Sequence, residues 1–147
     1  MLISGGLDQN IHVWDISNGK PIRTLNNHTR PVHEIVLRPS QSTGLPMLAS
    51  ASDDRTVRLW QPTIGRMVRF ARLDAVPLAL AWWPDGSKLA VSTAAGECLV
   101  LDPDTIGIIH RRQVLDGWAY AIAVHPEDES VIVGGQDGRL VRVELPP

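Results

Sequence analysis

SASDDRTVRLWQP, residues 50–62, decides the fold, because the chain repeats it. Set beneath it SGGLDQNIHVWDI, residues 4–16: Asp8 falls on Asp54 and Trp14 on Trp60, both 46 residues apart. STAAGECLVLDP, residues 92–103, follows with Leu101 placed 41 residues after Trp60. GGQDGRLVRVELP, residues 134–146, has Asp137 six residues before Val143, as Asp54 stands before Trp60. Other landmarks keep the same beat. Gly19, Gly65 and Gly107 are 46 and 42 apart, and Pro39, Pro84 and Pro126 are 45 and 42 apart. The longer first interval comes from extra residues in RPSQSTGLPM where the later copy has WPDGSK.

Within each period, apolar or alternating runs of four to seven residues are separated by turn residues, which predicts strands and no helix. The second period reads VHEIVLRP, LASAS, TVRLW and MVRFARL; the third reads PLALAWW, KLAVST, ECLVLD and IIHRRQVL. Four short antiparallel strands every ~40–45 residues make a β-propeller blade. The expected fold is therefore all-β, about three and a half blades of an incomplete propeller. The blade pieces are 1–27, 28–72, 73–115 and 116–147.

With 44% hydrophobic and 20% charged residues, the 147-residue chain has a globular balance. A formal net charge of -2 supplies no long-range pull on nucleic acid or anionic lipid, and neither is expected as a partner. No run reaches the ~18 apolar residues of a membrane span. MLISGGLDQNIHVWD has no basic and long apolar leader. The single cysteine, Cys98, makes no internal disulfide and suits a reducing compartment, here expected to be cytoplasmic, or a fold that needs no staples; it reads as a small buried apolar residue.

VWD at 13–15, RLW at 58–60 and Asn27-His28 resemble the WD-repeat family, strongly in the first two periods and loosely in the last two. The resemblance implies a structural tetrad in one blade, at His28, Ser50, Asp54 and Trp60. Its chemistry is consistent. An ionised Asp accepts from an imidazole N–H, the other ring nitrogen accepts from the Ser hydroxyl, and that oxygen accepts from the indole. A Ser, a His and an Asp also invite a hydrolase triad. Against that, Ser50 lies in a strand and no Gly-x-Ser-x-Gly elbow is present. The third period has Leu73, Ala95 and Leu101 at tetrad places, and the fourth has Leu115 and Val143, so those blades must hold by packing.

Asp102, Asp104 and Gly107 faintly resemble a calcium loop, but a turn explains them better. The five histidines lack metal-ligand spacing, so no metal and no cofactor is expected. Trp82 and Trp83, adjacent in a strand, point to opposite faces. Trp118, in the loop LDGWAY, is equally open to a core role and to anchoring a partner.

The strand count of three, four, four and three leaves the first blade without its innermost strand and the last without its outermost. The expectation is the C-terminal part of a larger protein, a truncated gene model, or a unit that must join the rest of a propeller or itself. The resemblance implies a non-catalytic scaffold that presents a rigid loop surface to protein partners. Arg30, Asp53, Asp74, Trp118 and Gln136, on loops of one rim, are the candidates for contact. The competing reading is an enzymatic propeller with quinone-cofactor dehydrogenase-like repeats, which LDPDTIG and VGGQDGRLVRV resemble somewhat. In such repeats the Trp lies in the outermost strand; here Trp14 and Trp60 end the third, which favours the scaffold.

Overall fold

The computed structural model describes residues 1–39 and 44–146. Part of the insertion that lengthens the first interval, residues 40–43, lies outside them. The described residues form strands and turns, with no helix. The first sheet is β1 (Leu2–Gly5), β2 (Ile11–Asp15) and β3 (Lys20–Leu25). The second is β4 (Val32–Leu37), β5 (Leu48–Ser52), β6 (Thr56–Gln61) and β7 (Arg66–Arg72). The third is β8 (Pro77–Trp82), β9 (Leu89–Thr93), β10 (Glu97–Leu101) and β11 (Ile108–Gln113). The fourth is β12 (Ala119–Val124), β13 (Val131–Gly135) and β14 (Leu140–Val143). Every sheet is an antiparallel meander in chain order, the arrangement of propeller blades.

Hydrophobic clusters fill the spaces between successive sheets. Ile11, Leu25, Val32, Leu48 and Trp60 join the first to the second. Val57, Leu59, Leu80, Trp82, Leu89 and Val91 join the second to the third. Trp83, Val100, Leu115, Val131 and Val143 join the third to the fourth. The adjacent Trp82 and Trp83 thus enter two different cores. Strands covered on both faces lose the alternation of a half-exposed strand: LASAS of β5 and LAVST of β9 are buried at every position. The outer strands β7 and β11 have a solvated side and carry arginines, Arg66, Arg69 and Arg72 on one and Arg111 and Arg112 on the other.

The turn chemistry repeats with the strands. In the turn between the second and third strands of each repeat, one residue is left-handed: Gln9 (φ 70), Arg55 (φ 62), Gly96 (φ 78) and Gly138 (φ 78). In the following turn the left-handed residues are Gly19 (φ 70), Gly65 (φ 72) and Ile106 (φ 57). The sequence landmark Gly107 is therefore one residue off. A β-branched side chain occupies the strained position, at a cost of roughly 1–2 kcal/mol, while Ile106 packs against the core between the second and third sheets.

The candidate site: a loop rim over a closed polar network

Beneath the rim of the second sheet, four side chains from four places in the chain meet. His28 precedes β4, Ser50 lies in β5, Asp54 in the turn after it and Trp60 in β6. His28 Nδ1 lies 2.7 Å from Asp54 Oδ2 and its Nε2 lies 2.7 Å from Ser50 Oγ. The Trp60 indole donates to the same Ser50 oxygen at 2.8 Å. Asp54 also accepts from the Thr56 hydroxyl and from the amides of Thr56 and Thr29. Burial would raise the Asp54 pKa, but the hydrogen bonds from Thr56 and His28 outweigh it and hold the group at about 2. Burial lowers the His28 pKa, against the pull of Asp54, so the ring is neutral at pH 7. Ser50 is 0% exposed, so no substrate carbonyl can approach its oxygen.

Strand register extends the comparison to the other sheets. Leu48 faces Trp60 across β5 and β6, Leu89 faces Leu101, and Val131 faces Val143. By that register Val91 and Val133 stand where Ser50 stands. The third sheet therefore replaces the polar set as a set, with Leu73, Val91, Ala95 and Leu101; three of the four are buried in one core. The fourth sheet does the same with Leu115, Val133 and Val143. Its remaining carboxylate, Asp137, turns to Arg139. A half-satisfied buried network is worse than an apolar one, so complete or absent are the two stable solutions. The sequence landmarks miss Val91 and Val133 because an apolar residue in an apolar strand carries no signal.

Above this network the loops are tied to one another. Asp53 N donates to Pro31 O, the Ser52 hydroxyl to Arg30 O, and Leu73 N to Arg55 O. Val32 N donates to Gly6 O, which links the first sheet to the same rim. Further round, Gln136 N donates to Trp118 O, and Leu115 N to Gly96 O. The predicted contact residues divide into three places. Arg30 and Asp53 share a cleft of about 480 Å³ with Thr29, Asp54, Arg55 and Arg72. Trp118 and Gln136 are joined through backbone and side chain. Trp118 is 48% exposed and stacks edge-on with Tyr120 at 5.6 Å, so it is not a core residue. Asp74 lies apart, paired with Arg111 at 2.9 Å.

In the cleft, His33 engages Asp53 at 2.6 Å and Asp54 belongs to the network below. The guanidinium groups of Arg30, Arg55 and Arg72 have no carboxylate partner among the described residues, so the cleft offers unpaired positive charge. Arg55 and Arg72 are missed from sequence, since only folding brings the end of β7 beside two loops. His33 and Tyr120 have a common local cause: each sits at a register shift at the start of its sheet's innermost strand. Such bulges re-aim side chains toward a rim. The Asp102 carboxylate is spent on the turn amides of Asp104 and Thr105, as a turn requires. Cys98 is 2% exposed, and burial pushes its thiol up to about 11. No helix of the described residues is long and apolar enough to cross a membrane.

Residues 19–61 match the family model for the WD domain, G-beta repeat. The chain is similar to THO complex subunit 3 of Arabidopsis thaliana, 31% identical over 117 residues that cover 76% of this chain and 36% of that protein. It is also similar to Periodic tryptophan protein 2 of Saccharomyces cerevisiae, 32% identical over 80% of this chain and 13% of the relative. Pre-mRNA-processing factor 19 of Homo sapiens is 35% identical over 48% of this chain and 13% of its own length. The matches thus span about a third of the first relative and about an eighth of the other two.

Proposed function

Because this chain belongs to the WD-repeat family, we propose that it is a non-catalytic scaffold whose loop rim holds a protein partner through an acidic segment. The observation that carries the reading is the cleft of Thr29, Arg30, Asp53, Asp54, Arg55 and Arg72, whose three arginines have no carboxylate partner among the described residues. Arginine in a concave, rigid setting is suited to bidentate recognition of carboxylates. The closed network below the cleft fixes the turn that carries Asp53, Asp54 and Arg55, so little ordering is left to do on binding. Trp118 with Tyr120, beside Gln136, adds an exposed aromatic anchor, and Asp74, paired with Arg111, a further charged group. One relative is named as the subunit of a complex, which is the kind of role the rim suits.

The test is quantitative capture of partners by the full-length protein and by its Arg30→Glu/Arg72→Glu variant. The expected result is that partner recovery drops at least tenfold while the melting temperature moves by less than about 2 °C, as for surface substitutions. Unchanged recovery by the charge-reversed rim would remove the cleft from the account.

A further inference from the structure

The turn between the second and third strands of each repeat is closed in the same way in all four sheets. Its last amide donates three residues back: Gln9 N to Gly6 O at 3.2 Å, Arg55 N to Ser52 O at 3.1 Å, Gly96 N to Thr93 O at 3.0 Å and Gly138 N to Gly135 O at 3.1 Å. The donor is in each case the left-handed residue. In the third and fourth sheets it is glycine, which takes this conformation without a steric penalty. Arg55 takes it at φ 62 with a long, charged side chain. The sheet uses only the backbone of Arg55: its amide closes the turn and its carbonyl accepts from Leu73 N at 2.8 Å. Glycine would supply both. The Arg55 side chain is exposed and lines the cleft, and its guanidinium has no hydrogen-bond or ion-pair partner among the described residues.

The two carboxylates that precede Arg55 in the chain are engaged elsewhere. Asp53 meets His33 at 2.6 Å, and Asp54 meets His28 at 2.7 Å and the Arg58 guanidinium at 3.5 Å. Arg55 also stands between the other two arginines of the cleft. On one side, the Ser52 hydroxyl and Asp53 N donate to the carbonyls of Arg30 and Pro31. On the other, Thr56 pairs with Arg72 across β6 and β7. Arg30 comes from a loop and Arg72 from the end of an outer strand, whereas Arg55 follows the one residue, Asp54, that the buried network locks in place. A left-handed side chain that the fold does not need, held at a concave surface, points to recognition.

On the reading that the cleft holds an acidic segment, on which this rests, we propose that Arg55 sets its specificity: the Arg55 guanidinium receives one Glu or Asp carboxylate of the segment through two parallel N–H···O bonds, and Arg30 and Arg72 flank it as attracting charges. A planar fork distinguishes a carboxylate from diffuse negative charge, which a point-like ammonium does not. The fork gains most where its backbone is already fixed, since less ordering is left to do on binding. The flanking arginines act by charge, so lysine serves in their places and does not serve at Arg55.

The test is fluorescence anisotropy of a labelled hexaglutamate peptide on the full-length protein, with the melting temperature of each variant taken on the same preparation. Arg55→Gly should weaken binding at least tenfold without lowering the melting temperature by more than about 2 °C, because glycine suits the turn. Arg55→Lys keeps the charge and loses the fork, so it should weaken binding at least threefold, while Arg30→Lys and Arg72→Lys change it less than twofold. Gln9→Gly makes the same change in the turn of the first sheet and should leave binding as it is. Binding that survives Arg55→Gly but is lost in Arg30→Glu/Arg72→Glu overturns the role of Arg55 and spares the acidic-segment reading. Arg55→Lys binding as well as the parent also overturns that role. So does an Arg55→Gly protein that melts lower than the stated margin, since the side chain would then serve the fold. A parent protein that does not bind hexaglutamate overturns the acidic-segment reading and the role of Arg55 together.

Discussion

Replacing Asp54 by alanine should destabilise the chain by about 3 kcal/mol, because it deserts several buried donors at once. The carboxylate is 5% exposed and accepts from the His28 ring at 2.7 Å, the Thr56 hydroxyl and the amides of Thr56 and Thr29. A buried donor left unpaired costs about 1–3 kcal/mol. Part of this is recovered, since the Thr56 hydroxyl already sits 3.4 Å from His28 Nδ1 and can turn to accept its proton. At roughly 2–4 °C per kcal/mol for a chain of this size, the melting temperature should drop by about 6–12 °C. The assay is urea unfolding followed by tryptophan emission and circular dichroism. The same measurement on His28→Leu and on the double variant separates a network from a sum. With His28 already gone, the loss of Asp54 should cost at least about 1 kcal/mol less than it does alone. A stability change for Asp54→Ala under about 0.5 kcal/mol, or strict additivity, would refute the reasoning.

Four further outcomes follow from the same geometry. Stability should fall on acidification below pH 6.5: the unfolded chain binds a proton at His28, which the folded chain resists, and the loss grows as pH drops toward the depressed folded value. Asp54 adds a second loss between pH 3.8 and about 2; His28→Leu should remove the upper limb of a pH titration of unfolding and shrink the lower, since His28 is one of the donors that depress Asp54. Gly96→Ala should prevent folding or cost well over about 3 kcal/mol, since its Cβ would lie 2.1 Å from Leu115 O, whereas Gly138→Ala, equally left-handed with open space around it, should cost only about 1 kcal/mol in denaturant unfolding. Cys98 should resist iodoacetamide at pH 8 by at least about a hundredfold against a free thiol and react at full rate in denaturant. Trp118→Ala should leave stability within about 1 kcal/mol of the parent while lowering partner recovery, measured by melting and capture on one preparation.

The strands and their grouping were legible because period-two alternation and turn residues recur on a beat of 41–46 residues. His28, Ser50, Asp54 and Trp60 were legible because buried polar residues stand out in apolar strands. Their apolar counterparts, Val91 and Val133, were silent for the opposite reason. Ile106 was hidden because a glycine one residue later looks like the left-handed position. The cleft was only half legible. Arg30 and Asp53 sit on loops named in advance, but Arg72 reaches the cleft through strand pairing and Arg55 through its left-handed turn, both properties of the folded chain. Asp74 was placed on the rim by topology, yet its pairing with Arg111 depends on side-chain reach that a linear pattern does not contain.

The claim that the rim is the working surface is tested most directly by hydroxyl-radical footprinting of the full-length protein, alone and within its purified assembly. The account predicts protection concentrated at Arg30, Asp53, Arg55, Arg72 and Trp118, with the outer strands β7 and β11 otherwise unchanged. Protection confined to those outer strands, with the rim as reactive in the assembly as alone, would contradict it.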